Sequence, residues 1–314
     1  MSAMAEDSVV ASSEAAIRDG SKSFAAAARL FDKSTRDDAV MLYAWCRHCD
    51  DVIDGQTLGH DQEADFRRGQ AERLAELRRK TKAALEGGQA EDEIFEALRR
   101  VVANNAIPAI HPQELLYGFQ MDVEERHYAT LDDTYEYCYH VAGVVGVMMA
   151  MIMGARDPAV LDRASDLGIA FQLTNIARDV VDDARMGRCY LPDELLARHG
   201  VTSVDPDDPE QRRRLHNAAL ELLDIADRYY DSALVGMAAL PPRSAWAIAA
   251  ARRVYRAIGA RLRSGGPSAW DRRVSTTRAQ KLALLSTALL DVATSRIAPH
   301  RTNRTALWTR PGRG

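Results

Sequence analysis

A chain of 314 residues, 46% hydrophobic and 6% aromatic, carries enough apolar mass for one large core and is far from the composition of a disordered polymer. Its formal net charge of −4 gives no electrostatic ground for a nucleic-acid partner. Four cysteines over this length make no disulfide framework, so a cytoplasmic setting is expected.

Residues 1–14 carry early acids and no signal-peptide core, and are expected to lie outside the folded unit as a mobile N-terminus. GSKSF (20–24) reads, on its own, as an ordinary loop or helix cap. Helical periodicity then covers 36–54, where AVMLYA runs into WCRHCDDVID. In a helix Asp50 and Asp54 are i and i+4 on one face, with Asp51 roughly 100° away. Arg47 shares that face one turn earlier, and Tyr43 lies a further turn back. Taken alone, this motif suits a wet helix end equally well. CRHC has the CxxC spacing but no second pair, so it reads as small buried thiols.

Further helical runs cover 70–86, 91–104 and 113–128, separated by EGGQ and AIPAIHP. The run over 133–154 contains VAGVVGVMMAMIMGA, about 15 apolar residues against the ~20 that span a bilayer. It reads as a very apolar internal helix. Its Gly and Ala allow close helix packing and equally leave room for a long apolar ligand, and Tyr137 and Tyr139 taken alone are core aromatics.

A second acidic face lies in the run over 159–184, inside FQLTNIARDVVDD. Gln172, Asn175, Asp179 and Asp183 follow a 3–4–4 spacing on one face, with Asp182 beside them and Arg178 at the border. Carboxylates repeated along a central helix are rare, because each unpaired ion costs several kcal/mol to bury. Two arginines cannot neutralise two such faces. Helical runs over 209–236, 243–263 and 278–297 complete the chain. The last stretch, SRIAPHRTNRTALWTRPGRG, has five arginines and no acid. It is expected to be a basic, mobile tail over 298–314, with weak attraction to an anionic membrane as the sharper alternative. Strand signals and fixed-period repeats are lacking, so the expectation is an all-α, single-domain bundle of eight to ten helices.

Placed opposite each other across a cavity, the two acidic faces suit a hard divalent cation. Mg²⁺ typically takes one or two carboxylates and completes its shell with substrate phosphates and water. Arg47 and Arg178 could hold a diphosphate bidentately. A cavity polar at one end and lined below by Gly, Ala, Val and Met suits a long hydrocarbon with a diphosphate head. The implied chemistry is metal-assisted loss of diphosphate to give an allylic cation.

Five ordered segments carry a resemblance: GSKSF (20–24), LYAWCRHCDDVID (42–54), YCYHVAGVVG (137–146), AFQLTNIARDVVDDARMGRCYLP (170–192) and AWAIAAARRVY (245–255). Together they resemble the squalene/phytoene synthases over roughly residues 15–297, most closely the bacterial members of carotenoid biosynthesis. The closing LWTRP is similar to theirs as well. The resemblance implies an isoprenoid synthase-type helical bundle around a central cavity. It implies Asp50, Asp54, Asn175, Asp179 and Asp183 as ligands of Mg²⁺ (or Mn²⁺ in its place), with Asp51 and Asp182 as supporting acids. It further implies diphosphate contacts from Ser21, Lys22, Ser23, Tyr43, Arg47, Gln172, Arg178 and Tyr255, and more loosely from Arg272. Tyr137 and Tyr190 would lie near the reacting carbons, and Val141, Ala142 and Val145 along the isoprenoid chain.

The reaction so implied joins two geranylgeranyl diphosphates head to head through a cyclopropyl diphosphate, then loses a proton, with no NADPH. Peripheral contact with the inner face of the cell membrane and hand-over of product to a desaturase are expected from the product's insolubility. The nearest rivals are family members that condense C15 diphosphates, to dehydrosqualene or, with NADPH, to squalene. A terpene cyclase is more distant, since Asn175, Asp179 and Asp183 echo its metal spacing. A non-catalytic assembly-factor relative would be expected to have lost metal carboxylates, and here every one is present.

Overall fold

Helix ends in this chain are written in its short polar residues. Asp32 caps the helix Lys33–Asp54 by accepting the Thr35 N–H at 3.1 Å, and Gly55, left-handed at φ 60°, ends it. Asp92, Asp157 and Asp208 cap three more helices, the last two with proline as the first helical residue. Thr130 and Asp133 form a reciprocal capping box.

The computed structural model describes residues 2–20, 22–58, 65–88, 90–297 and 303–312, with the backbone alone at 2–7, 22–23 and 278. In chain order the helices are α1 Ser2–Gly20, α2 Lys22–Ala28, α3 Lys33–Asp54, α4 Gln70–Leu85, α5 Glu93–Asn105, α6 Ile110–Val123, α7 Leu131–Cys138, α8 Val144–Ile152, α9 Pro158–Arg185, α10 Asp193–Arg198, α11 Pro209–Gly236, α12 Pro242–Gly265 and α13 Arg278–Ile297. No β-strand occurs among the described residues, as the all-α expectation requires. α9 is central and packs against α8, α11 and α12, while α3 lies against α1 and α5.

The apolar run expected as one helix over 133–154 is instead two, joined by a π-helical turn at Tyr139–Gly143. The wider turn inserts a residue and rotates α8 relative to α7, which a 3.6-residue periodicity does not display. Two glycines then press this segment onto α9. A Cβ on Gly168 would lie 2.3 Å from the Ala142 carbonyl oxygen, and one on Gly146 2.4 Å from that of Ala164. Backbone therefore meets backbone, and the side chains of Val141, Ala142 and Val145 are left to face a cavity. The stretch Leu131–Ile152 is long and apolar enough by composition to cross a membrane, but most of it is buried within the bundle.

Both ends of the chain have described residues packed against the bundle. In α1, Val9, Ser13 and Ile17 form a buried stripe at i, i+4 and i+8, hidden in the sequence because its middle residue is a serine. At the other end, residues 303–312 lie on the bundle as a strap. Arg304 makes two 2.8 Å hydrogen bonds to Asp166, and Arg310 makes one of 2.8 Å to Asp162. Trp308 packs on Tyr139 with ring centroids 5.4 Å apart and donates its backbone N–H to the Tyr229 hydroxyl. The physical reason is a pair of acids: Asp162 and Asp166 are fully buried in α9, and these two arginines bring them compensating charge. The part of the tail at 298–302 lies outside the described residues.

Candidate active site

An elongated cavity of about 390 Å³ runs between α2, α3, α8, α9 and α12. Its lining on α9 extends from Val160 to Asn175, roughly 22 Å along the helix axis. Arg47, Asp50, Gln172 and Asn175 mark its polar end. Ala28 and Ala39, each about a turn further from that end than Phe24 and Tyr43, line its depth together with Met237 and Leu240, a largely apolar wall that also includes Arg163, which donates to Ser232 at 2.7 Å. The shape suits an extended hydrocarbon with a charged head.

The two acidic faces meet at the polar end. On α3, Asp50 lines the cavity, and Asp54 follows one turn beyond. On α9, Asn175 lines it, and Asp179 and Asp183 continue the same row. Arg188, from the loop after α9, bridges them: it donates to Asp54 at 3.0 Å, and its charge acts on Asp183. Each face also has its own arginine, Arg47 to Asp50 at 2.6 Å and Arg178 to Asp179 at 2.7 Å and 2.5 Å.

Charge remains in excess all the same. Burial, reinforced by Asp54, Asp51 and Asp122, pushes the Asp50 carboxyl up to about 7 despite Arg47. Burial and then Asp179 push Asp183 up to about 8. Both want more positive charge than the protein supplies.

The donors fit a hard cation. Asn175 donates its amide to Gln172 at 3.2 Å, and its buried Oδ1 accepts nothing among the described residues. An unpaired carbonyl oxygen beside carboxylates is the ligand type that Mg²⁺ prefers. Among the described residues no three His, Cys, Asp or Glu side chains converge closely enough to hold a metal by themselves. This suits an ion that completes its shell with phosphate oxygens and water.

Other expected residues sort by position. Tyr43 and Tyr255 line the cavity; Phe24 packs between them, at 6.1 Å and 6.0 Å, and Tyr255 stacks on Phe171 at 4.2 Å. Tyr137 and Tyr190 stack on each other at 4.8 Å. Asp51 is buried and accepts the Leu58 N–H at 2.8 Å, so it ties down the chain after α3. Asp182 is exposed on the outer side of α9. Arg272 is exposed and does not line the cavity. Ser21 lies outside the described residues, as do the side chains of Lys22 and Ser23.

Sequence reasoning did not single out Arg188 or Asp122. Arg188 sits in the segment 170–192, in ARMGRCYLP, with no spacing that marks a role. Asp122 stands in MDVEER, on α6, where no periodic partner marks it. It nonetheless lines the cavity and accepts hydrogen bonds from Tyr137 and Tyr190.

Comparison with known proteins agrees with this fold. The squalene/phytoene synthase family pattern matches residues 17–280. The chain is 56% identical to a 15-cis-phytoene synthase of Paracoccus sp. (strain N81106 / MBIC 01143), covering 97% of this chain and 98% of that one. It is 52% identical to a 15-cis-phytoene synthase of Pantoea ananas, over 93% and 94% of the two chains. Among solved structures, a dehydrosqualene synthase in complex with ligand superposes with a TM-score of 0.82 at 28% identity, covering 92% of this chain and 98% of that one.

Proposed function

The chain belongs to the squalene/phytoene synthase family, and from that premise we infer that it is a prenyltransferase joining two geranylgeranyl diphosphates head to head to give phytoene. The observation that carries the reading is the pairing of two under-neutralised carboxylate faces with one end of a cavity whose depth is largely apolar. Relatives named phytoene synthase at 50–56% identity point to the C20 reaction.

Asp50 and Asp54 from α3, with Asn175, Asp179 and Asp183 from α9, would hold Mg²⁺. Bound there, the metal supplies Lewis-acid stabilisation of the departing diphosphate. The protein's own groups do the rest. Arg47 and Arg178, now on aspartates, are placed to take phosphate oxygens bidentately. Phe24, Phe171, Tyr255 and Tyr137 line the cavity, which puts aromatic rings beside the region where an allylic cation would form. The alanine and methionine lining keeps water from that cation while the second double bond captures it. The sequence closes by loss of a proton, so no reductant is required.

The experiment is incubation of the purified protein with Mg²⁺ and C15 or C20 diphosphates, with and without NADPH. Phytoene from the C20 substrate alone is the expected product; turnover confined to C15, or dependent on NADPH, overturns the reading. The likeness to a dehydrosqualene synthase makes C15 the arm to watch. Because the C40 product does not dissolve in water, we also propose peripheral membrane contact and direct hand-over to a desaturase. The exposed Leu282, Leu289, Leu290 and Ile297 of α13 support such contact. Co-sedimentation with anionic vesicles, and its loss when Leu282 and Leu290 become serine, tests it.

A further inference from the structure

A carbocation that ends as an alkene must hand its proton to something, and a cavity built to exclude water offers few acceptors. Among the described residues only two carboxylates line this one, Asp50 and Asp122. Asp50 belongs to the metal face and is held by Arg47. Asp122 comes from neither acidic helix but from α6, one residue before that helix ends, and its charge reaches Asp50 and Asp183. Its two oxygens accept separate hydroxyls, Tyr190 at 2.8 Å and Tyr137 at 3.2 Å. Those rings stack on each other at 4.8 Å, and Tyr128 closes the group at 5.4 Å from Tyr137 and 5.9 Å from Tyr190. Asp122 and Tyr137 thus meet on the cavity wall with the chain-lining Val141, and Tyr128 and Tyr190 pack behind Tyr137.

Resting on the function proposed above, we propose that Asp122 is the base that ends the reaction. In the closing step a C–H bond beside the carbocation breaks, its electron pair becomes the new carbon–carbon double bond, and the proton passes to the Asp122 carboxylate. The resulting neutral acid returns its proton to water once the product has left. No oxidant or reductant enters.

The surroundings suit the task. Aromatic faces stabilise a cation near the carboxylate. Two hydroxyl donors engage the carboxylate oxygens, so that the carboxylate is a poorer nucleophile and ester formation with the cation is disfavoured. Burial raises the Asp122 carboxyl to about 6, with Arg188 and the two tyrosines pulling the other way, so the group is ionised at neutral pH and still basic.

The test uses the full-length protein with Mg²⁺ and geranylgeranyl diphosphate, following diphosphate release and the extractable products separately. In Asp122→Asn, which keeps the shape and an acceptor for the tyrosines, diphosphate release is expected to persist. Phytoene should fall about 10²-fold, replaced by alcohols from water capture of the final cation. Asp122→Glu should recover part of the phytoene. Three results overturn the proposal: unchanged phytoene in Asp122→Asn, which makes the released diphosphate the acceptor; recovery on raising Mg²⁺, which makes Asp122 a metal-site residue; or parallel loss of diphosphate release and helical circular dichroism in both variants, which makes it structural. If the unsubstituted protein turns over only C15 diphosphate, the chain-length reading falls instead, and the same product partition is read on that substrate.

Discussion

Asp122 holds a negative charge where a neutral amide would sit more easily, and that conflict can be measured. Its folded-state value of about 6 lies above the ordinary 3.8 of an aspartate. A raised carboxyl favours the fold only while protonated, so its contribution is complete below about 4 and is lost as pH rises through about 6. Asp122→Asn should therefore raise the melting temperature at pH 8, by up to about 3 kcal/mol of stability, with the gain shrinking toward pH 5. A gain that does not change with pH would mean that packing, not charge, is responsible. On the acidic faces, Asp50→Asn or Asp179→Asn is expected to abolish turnover while helical circular dichroism survives; activity retained at millimolar Mg²⁺ would remove those residues from the metal set. These faces were legible because helical spacing repeats them at three and four. Asp122 was not, since a lone acid in a charged stretch looks like any solvated one until tertiary structure brings two tyrosines to it. Arg188 was hidden likewise: Asp54, its partner, is 134 residues away.

Helix positions were readable almost to the residue where caps and prolines mark them, as at Asp157-Pro158 and Asp208-Pro209. The π-turn was not, because one inserted residue leaves composition unchanged while turning Val141, Ala142 and Val145 to a new face. Its seat depends on Gly168. Gly168→Ala would place a methyl against the Ala142 carbonyl and the Gly143 Cα, atoms of a backbone that cannot step aside. A loss of about 1–3 kcal/mol is expected in chemical denaturation, with weaker C20 turnover. The strap over 303–312 acts between elements too. Arg310→Ala takes from the buried Asp162 its 2.8 Å charged partner and should cost about 3–5 kcal/mol. Adding Asp162→Asn should restore much of it; failure to do so would show that the arginine acts by packing alone.

At the scale of the whole molecule, the cavity joins a charged entrance to a largely apolar depth, and that depth is walled by small residues. Ala28 and Ala39 leave room that larger side chains would fill. Ala28→Phe is expected to shorten the usable length, lowering C20 turnover more than C15 turnover when the two diphosphates compete in one assay. An unchanged ratio would place the chain's far end elsewhere. The class of fold and the chemistry at the entrance were both implicit in the sequence. Depth was not, because it depends on how several helices lean together rather than on what any one of them contains.

The strap also sets a clock. Asp162 and Asp166 emerge during synthesis well ahead of the arginines that meet them, 148 and 138 residues earlier in the chain. At about 5–20 residues per second, that gap lasts roughly 7–30 s. Throughout it, the central helix carries two acids destined for burial while the strap's cations are still unmade. Full charge compensation along the innermost helix of the bundle therefore waits on a segment made 138 to 148 residues later.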